Sequence, residues 1–281
     1  MSVKIIVDST ADLPQGLKER LTVVPLTVHF GDETYVDGVT IDHQAFYEKL
    51  VESDVMPTTS QAAPQAFLDV LQPLVEQGHE AVVLTVAGKL SGTNQSAVIA
   101  ASDYHGRVFV VDSQTVAIGT GILAEYALQL ADQGLCAAAI ADALVYQRER
   151  VRVVALLDTL EYLKRGGRIS KTVALAGSML SIKPVAAIQD GEILLLGKAR
   201  GSRQGNNLLV QEIGKAGGVD FSKPLLMGYT GFSDLLLRKY VEDSRHLWEG
   251  HEDALRTTCI GSVIGTHAGP GAVAVAFFCG E

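Results

Sequence analysis

Apolar residues in the first half of the chain form short runs, each followed by a polar loop and then by a helical pattern. The clearest runs are residues 3–7, 81–86 and 108–111. Runs of this length, apolar at nearly every position, are typical of strands buried on both faces of a parallel sheet. Helical patterns cover residues 93–102, 119–132 and 136–149, and Pro14 marks a further helix start. This alternation predicts an α/β fold with an N-terminal α/β/α domain.

The second half mixes strands and helices in a less regular order. Strand patterns cover residues 151–157, 184–188, 193–196, 225–229, 257–260 and 273–278, and helical patterns cover 159–165, 170–180 and 233–247. Asp158 is expected to cap the first of these helices, with Glu161 returning the bond, and Ser170 is expected to cap the second. Asp190-Gly191 predicts a hairpin with a type I′ turn. The mixed order indicates a smaller C-terminal α+β domain, and we place the two domains at 1–155 and 156–281.

Composition narrows the class of protein. The chain has 281 residues, of which 47% are hydrophobic and 20% charged, so it is long enough and apolar enough for a folded core. A net charge of −9 argues against a nucleic-acid partner. The three cysteines have no zinc-site spacing. No run approaches the roughly 20 apolar residues of a membrane helix, and the first residues lack a signal-peptide layout. We therefore expect a cytoplasmic protein without stable membrane insertion.

Candidate binding residues follow the predicted strands, because parallel sheets hold ligands at the carboxyl ends of their strands. Ser91 lies in a loop flanked by Gly88 and Gly92, ahead of a helix whose amides favour an anion, although Ser91 can also simply cap that helix. His267 lies in a glycine-rich stretch in which the backbone can approach a ligand. A serine hydrolase or acyl transferase using Ser91 and His267 is the alternative hypothesis. The segment 88–92 lacks the G-x-S-x-G spacing of the hydrolase elbow.

The sequence gives little support for a nucleotide-binding site or a metal site. Residues 119–124 match G-x-G-x-x-A but do not directly follow a strand, so small residues that pack a helix closely are the better explanation. Asp8, Asp12 and Asp112 lie at one predicted sheet edge, where turn formation and capping explain them more simply than a magnesium site does. We predict no metal and no cofactor.

A series of motifs along the chain carries a family resemblance. They are DSTADLP (8–14), VPLTVHFGDETYVDG (24–38), PTTSQ (57–61), LSGTNQSA (90–97), VVDS (110–113), LDTLEYLKRGGRIS (157–170), IKP (182–184) and HAGPGA (267–272). In this order they resemble the motifs of the DegV family, and the resemblance spans the whole chain. The segment 157–170 is the most specific of them.

The resemblance implies a two-domain bacterial protein that binds one long-chain fatty acid in a tunnel between its domains. Thr59 and Ser91 would donate hydrogen bonds to the carboxylate, His267 would be a third contact, and Arg168 would act nearby. Members resemble the binding subunit of bacterial fatty acid kinase. They are not enzymes themselves: they present the carboxylate to a separate ATP-dependent kinase subunit, which makes an acyl phosphate for phospholipid metabolism.

Simpler roles remain open for the same residues. Thr59 can cap a helix that begins near Gln61, Arg168 can pair with Glu161, and His267 can be a surface group. The sequence also departs from the family at Ala62-Ala63 and at Ala87-Gly88, where the family commonly has Pro-Ser and Ser-Ser. These changes bear on secondary hydrogen bonds at the head group. Lys198, Arg200 and Arg203 follow the predicted hairpin and are expected to form a basic docking face for the kinase partner.

Overall fold

The computed structural model of the chain describes residues 2–14, 16–169 and 182–280. The strands are β1 (Val3–Asp8), β2 (Thr22–Val24), β3 (Thr27–Phe30), β4 (Glu33–Val36), β5 (Thr58–Ser60), β6 (Glu80–Thr85), β7 (Val108–Asp112), β8 (Val151–Leu156), β9 (Ile182–Gln189), β10 (Glu192–Arg200), β11 (Leu226–Tyr229), β12 (Thr257–Cys259) and β13 (Val273–Phe278). The α-helices are α1 (His43–Glu52), α2 (Pro64–Glu76), α3 (Thr93–Ala101), α4 (Ile118–Asp132), α5 (Ala137–Gln147), α6 (Glu161–Arg165), α7 (Gly201–Lys215), α8 (Leu235–Asp243) and α9 (Ser262–Ala268).

The first half of the chain builds a four-stranded parallel sheet in the order β2-β1-β6-β7. Its two central strands, β1 and β6, are buried on both faces, as their apolar runs predicted. Val82 and Leu84 of β6 face α4 and α5, whereas Ala81 and Val83 face a second core beside α2 and α3. Helices therefore cover both faces of the sheet, which confirms the predicted α/β/α layering.

Helix α4 packs between two sheets. It contacts β1 and β6 on one side and β8, β11 and β13 on the other, and ten of its 15 residues are buried. A Cβ on Gly119 would stand 2.6 Å from Val153 Cγ2, and one on Gly121 would stand 2.1 Å from the carbonyl oxygen of Asp12. Both glycines therefore let the helix approach its neighbours closely, which confirms the packing explanation of the G-x-G-x-x-A motif.

The second half builds a six-stranded mixed sheet in the order β10-β9-β8-β13-β11-β12. Within the described residues, β11 and β12 are the only neighbouring strands of this sheet that pair in parallel, and the other neighbours pair antiparallel. Helices α7 and α8 cover one face. Asp190 and Gly191 have φ angles of 50° and 74°, which confirms the predicted tight turn between β9 and β10. Strand β8 contains residue 155, the expected domain boundary.

A small antiparallel sheet, β4-β3-β5, was not predicted from the sequence. Its strands have only three or four residues, which is too short to show a clear alternation of apolar and polar positions. Strands β3 and β5 pack against α9, and β5 contains Thr59, one of the predicted ligand contacts.

Two predictions of local structure are wrong. Pro14 does not begin a helix: the chain turns at Gly16, whose φ is +90°, and forms only a 3-10 turn at Lys18–Arg20. Asp158 does not cap α6, because its carboxylate binds Lys183 Nζ at 2.6 Å and Thr159 Oγ1 accepts the Glu161 N–H instead. The predicted helix capped by Ser170 lies outside the described residues.

None of the described helices has both the length and the apolar character that a membrane span needs.

Candidate functional site

A cavity of about 380 Å³ lies between the two large sheets. Its wall is mainly apolar and comes from several elements. Examples are Val153 and Ala155 of β8, Ile188 of β9, Ile193 of β10 and Ala274 of β13. The volume lies within the range of small-molecule sites, which is about 300 to 1,000 Å³. Short side chains along the second sheet leave this space open.

Four polar residues predicted as ligand contacts line the same cavity: Thr59, Ser91, Arg168 and His267. The Thr59 hydroxyl lies 3.0 Å from His267 Nε2, although 208 positions separate the two residues in the chain. Ser91 Oγ lies 2.9 Å from Thr93 Oγ1. The fold therefore brings two hydroxyls, one imidazole and one guanidinium to the same cavity. This set can satisfy a single anionic group by hydrogen bonds and charge.

His267 lies on helix α9 rather than in the glycine-rich loop expected from the sequence. Gly166 makes room for its ring, because a Cβ at that position would stand 2.2 Å from His267 Nδ1. Burial and, to a smaller extent, the positive charge of Arg168 lower the pKa of His267 to about 4. The ring is therefore neutral at pH 7. Its Nδ1 is buried and has no hydrogen-bond partner among the described residues.

Backbone carbonyl groups hold Arg168 at the cavity. Its Nη1 donates to the Gly166 carbonyl at 2.6 Å, and its Nε donates to the Leu90 carbonyl at 3.3 Å. The predicted alternative, a pair between Arg168 and Glu161, is wrong because Arg165 Nε binds Glu161 Oε1 at 2.6 Å. Arg168 is thus attached to the loop that carries Ser91.

Capping does not explain Thr59, but it explains part of the position of Ser91. Thr59 lies inside β5, and α2 begins only at Pro64, after Ala63. Ser91 directly precedes Gly92, the N-cap of α3, and its Oγ accepts the N–H of Thr93, the first residue of that helix, at 3.3 Å. The capping interpretation is therefore wrong for Thr59, whereas Ser91 both contacts the start of α3 and lines the cavity.

The two departures from the family pattern have local explanations. Gly88 donates its N–H to Asp112 at 3.2 Å, and a Cβ there would stand 2.9 Å from Asp112 Oδ2. Ala62 is buried and Ala63 precedes α2, and neither lines the cavity.

Gln61 lines the cavity but was not among the predicted contacts. Its Nε2 donates to Ser96 Oγ at 3.1 Å. A Cβ on Gly92 would stand 2.0 Å from Gln61 Oε1, so a larger residue there would displace the Gln61 amide. The available signal was its place in the PTTSQ motif, two positions after Thr59.

Turn formation explains two of the three aspartates at the sheet edge. Asp8 Oδ1 accepts the Thr10 N–H at 2.9 Å, and Asp112 Oδ1 accepts the Gln114 N–H at 2.9 Å. Asp12 instead accepts the Gly261 N–H at 2.7 Å, which connects it to the start of α9. No group of three or more metal-binding side chains is present in the described ranges.

The geometry does not support a serine hydrolase. In the described structure no hydrogen bond joins Ser91 to His267, whose Nε2 is directed to Thr59 instead. A histidine with a pKa of about 4 is also a weak general base at neutral pH.

Known proteins share both the sequence and the fold. A family model described as "Uncharacterised protein, DegV family" matches residues 2–279. A DegV domain-containing protein of Caldanaerobacter subterraneus subsp. tengcongensis is 33% identical over 285 residues, covering 98% of each chain. A solved structure described as fatty acid binding of a DegV family protein from Thermus thermophilus has a TM-score of 0.88 at 31% identity, covering 99% of this chain and 100% of its own. A stearic-acid-binding protein from Eubacterium ventriosum has a TM-score of 0.85 at 28% identity, covering 99% and 98%.

The family match spans nearly the whole chain, and six of the eight motifs described above contribute residues to the lining of one cavity. The fold agrees with that of solved members along its entire length. This chain belongs to the DegV family.

Proposed function

We propose that this protein binds one long-chain fatty acid in the cavity, with the carboxylate at Thr59, Ser91, His267 and Arg168. One observation carries the proposal: an apolar cavity between two sheets is lined by four polar side chains of the kind that hold a carboxylate. The relatives described as binding fatty acids support it. In this proposal the protein is a cytoplasmic carrier without a cofactor, and it performs no chemistry itself.

Binding energy would come mainly from the acyl chain. Burying about 14 methylenes at about 0.8 kcal/mol each gives roughly 11 kcal/mol before the costs of ordering both partners. The carboxylate needs donors to offset its loss of water. Because His267 is neutral, its Nε2–H can donate to Thr59 Oγ1 and leave the Thr59 hydroxyl free to donate to the ligand. Arg168 supplies the positive charge.

Mass spectrometry of an organic extract tests this proposal. Protein purified from a bacterial host is expected to carry about one fatty acid per chain, and a Thr59→Ala/Ser91→Ala variant is expected to carry far less. A Thr34→Ala/Ser102→Ala variant removes the same two hydroxyl types at exposed positions outside the cavity and serves as the control. A ligand-free extract from folded wild-type protein would contradict the proposal.

We further propose that a separate ATP-dependent kinase subunit receives the carboxylate and docks on Lys198, Arg200 and Arg203. All three side chains are exposed, on β10 and at the start of α7. On a chain with a net charge of −9, this basic group favours an acidic partner surface.

An Arg200→Glu/Arg203→Glu variant tests the docking face. It is expected to keep its fatty acid and to lose acyl-phosphate formation with a bacterial kinase subunit. An Arg238→Glu/Arg245→Glu variant reverses two other exposed arginines and controls for the change in net charge. Undiminished coupling in the first variant would exclude this docking face.

A further inference from the structure

The tip of the β9–β10 hairpin rests on the loop 87–92, which carries Ser91. The Gly191 N–H donates to the Gln114 carbonyl at 3.0 Å. Lys89 Nζ lies 3.2 Å from Glu192 Oε1. A Cβ on Gly191 would stand 3.5 Å from Ala87 Cβ, which is ordinary van der Waals contact. The six-stranded sheet therefore touches the Ser91 loop directly.

Ala87 connects this contact to Ser91. Its carbonyl accepts the N–H groups of Leu90 at 2.9 Å and Ser91 at 3.2 Å, so it forms the base of the turn that carries the Ser91 hydroxyl. Its own N–H donates to the Thr115 carbonyl at 2.9 Å. Ala87 is fully buried. A displacement of Ala87 would therefore move the Ser91 backbone with it.

The backbone on both sides of the contact adopts an unusual conformation. Gln114 and Asp190 have φ angles of 53° and 50°, in the left-handed region that favours glycine. The two residues lie on opposite sides of the contact. Such conformations persist where the surrounding contacts hold them, and they concentrate at functional sites. For Asp190 the type I′ turn supplies a reason, whereas Gln114 lies outside any hairpin and presents its carbonyl to Gly191.

We propose that the Asp190-Gly191 turn is a positioning element for Ser91, so that a fatty acid carboxylate is held tightly only while this turn rests on Ala87. The inference rests on the function proposed above and adds a control point to the same site. Strand β10 begins beside this turn and ends at Arg200. The turn that positions Ser91 and the basic docking face therefore lie at opposite ends of one strand.

A reversible cross-link tests the proposal. The Cβ separation of 3.5 Å between positions 87 and 191 falls within the roughly 3.5 to 4.5 Å that a disulfide requires. An Ala87→Cys/Gly191→Cys variant is made with Cys136→Ser, because Cys136 is an exposed thiol. The protein is loaded with radiolabelled palmitic acid, and release to phosphatidylcholine vesicles is timed for the oxidised and the reduced form. We expect release to be at least tenfold slower from the oxidised form, and each single-cysteine variant to show no difference.

Equal release rates from the oxidised and reduced forms would overturn the proposal. A wild-type protein that takes up no palmitic acid would instead refute the proposed function, and the inference would fall with it.

A second variant loosens the same contact. Gly191→Pro removes the N–H that Gln114 accepts, and proline cannot adopt the φ of +74° at this position. We expect palmitic acid release at least threefold faster than from wild type. Gly218→Pro is the matched control: Gly218 has a φ of +78° and donates its N–H to the Ile213 carbonyl, and neither residue lines the cavity. Equal acceleration by both variants would indicate a general loss of stability and would also overturn the proposal.

Discussion

Asp12 is expected to make the stability of this protein strongly dependent on pH. Burial, together with the nearby carboxyls of Asp37 and Asp8, raises the pKa of Asp12 to about 8, although the Gly261 N–H and Lys18 oppose the rise. Oδ2 of Asp12 is buried without a hydrogen-bond partner among the described residues. The folded state therefore holds a proton that the unfolded chain releases near its ordinary pKa of 3.8.

The sign and size of the effect follow from this difference. The folded state binds more protons between pH 3.8 and about 8, so the free energy of unfolding falls as pH rises through that window and levels off above it. Each pH unit inside the window costs about 1.4 kcal/mol, so the contribution lost between pH 5 and pH 7.5 is roughly 3 kcal/mol. Asp12→Asn keeps an oxygen to accept the Gly261 N–H and cannot ionise.

Urea unfolding at several pH values measures this contribution. The unfolding free energy of Asp12→Asn minus that of wild type is expected to rise by roughly 3 kcal/mol between pH 5 and pH 7.5. Subtracting the wild-type unfolding free energy at each pH cancels the contribution of the groups that titrate in both proteins. The Asp103→Asn variant, at an exposed position, controls for the loss of one carboxylate. A difference that stays constant with pH would refute the reasoning, whatever its absolute value.

Three further outcomes are expected. Gly166→Ala places a methyl 2.2 Å from His267 Nδ1, so the imidazole must move from Thr59; we expect loss of bound fatty acid in the extract, and retention would show that this contact is not needed. Gly119→Ala is expected to lower the unfolding free energy by about 1 to 3 kcal/mol, because its methyl group would clash with Val153. Gly214→Ala has open space around it and is expected to raise the unfolding free energy by up to about 1 kcal/mol through helix propensity. Thermal melts of both variants test this pair of predictions, and equal shifts of the melting temperature would contradict them. Tyr47→Phe removes a buried hydrogen bond of 2.9 Å to the Ile260 carbonyl and is expected to lower the unfolding free energy, measured in urea, by about 1 to 3 kcal/mol. A change near zero would argue against that hydrogen bond.

Predictions succeeded where the cause is local. The run at 81–86 is apolar at consecutive positions because β6 is buried on both faces. The turn at Asp190-Gly191 follows from the φ angles that these two residues tolerate. Predictions failed where a distant residue competes. Asp158 has the sequence context of a helix cap, yet Lys183, 25 positions away, takes its carboxylate.

The sequence by itself determined the alternating strands and helices of the parallel-sheet domain, the close packing of α4 through its glycines, and the family motifs that pick out Thr59, Ser91, His267 and Arg168. Only the tertiary structure decided that these four residues line one cavity and that a hairpin turn of the second sheet rests on the Ser91 loop. The physical reason is distance along the chain. Thr59 and His267 are joined only after a short sheet and α9 have packed together, and no local pattern of residues records that contact.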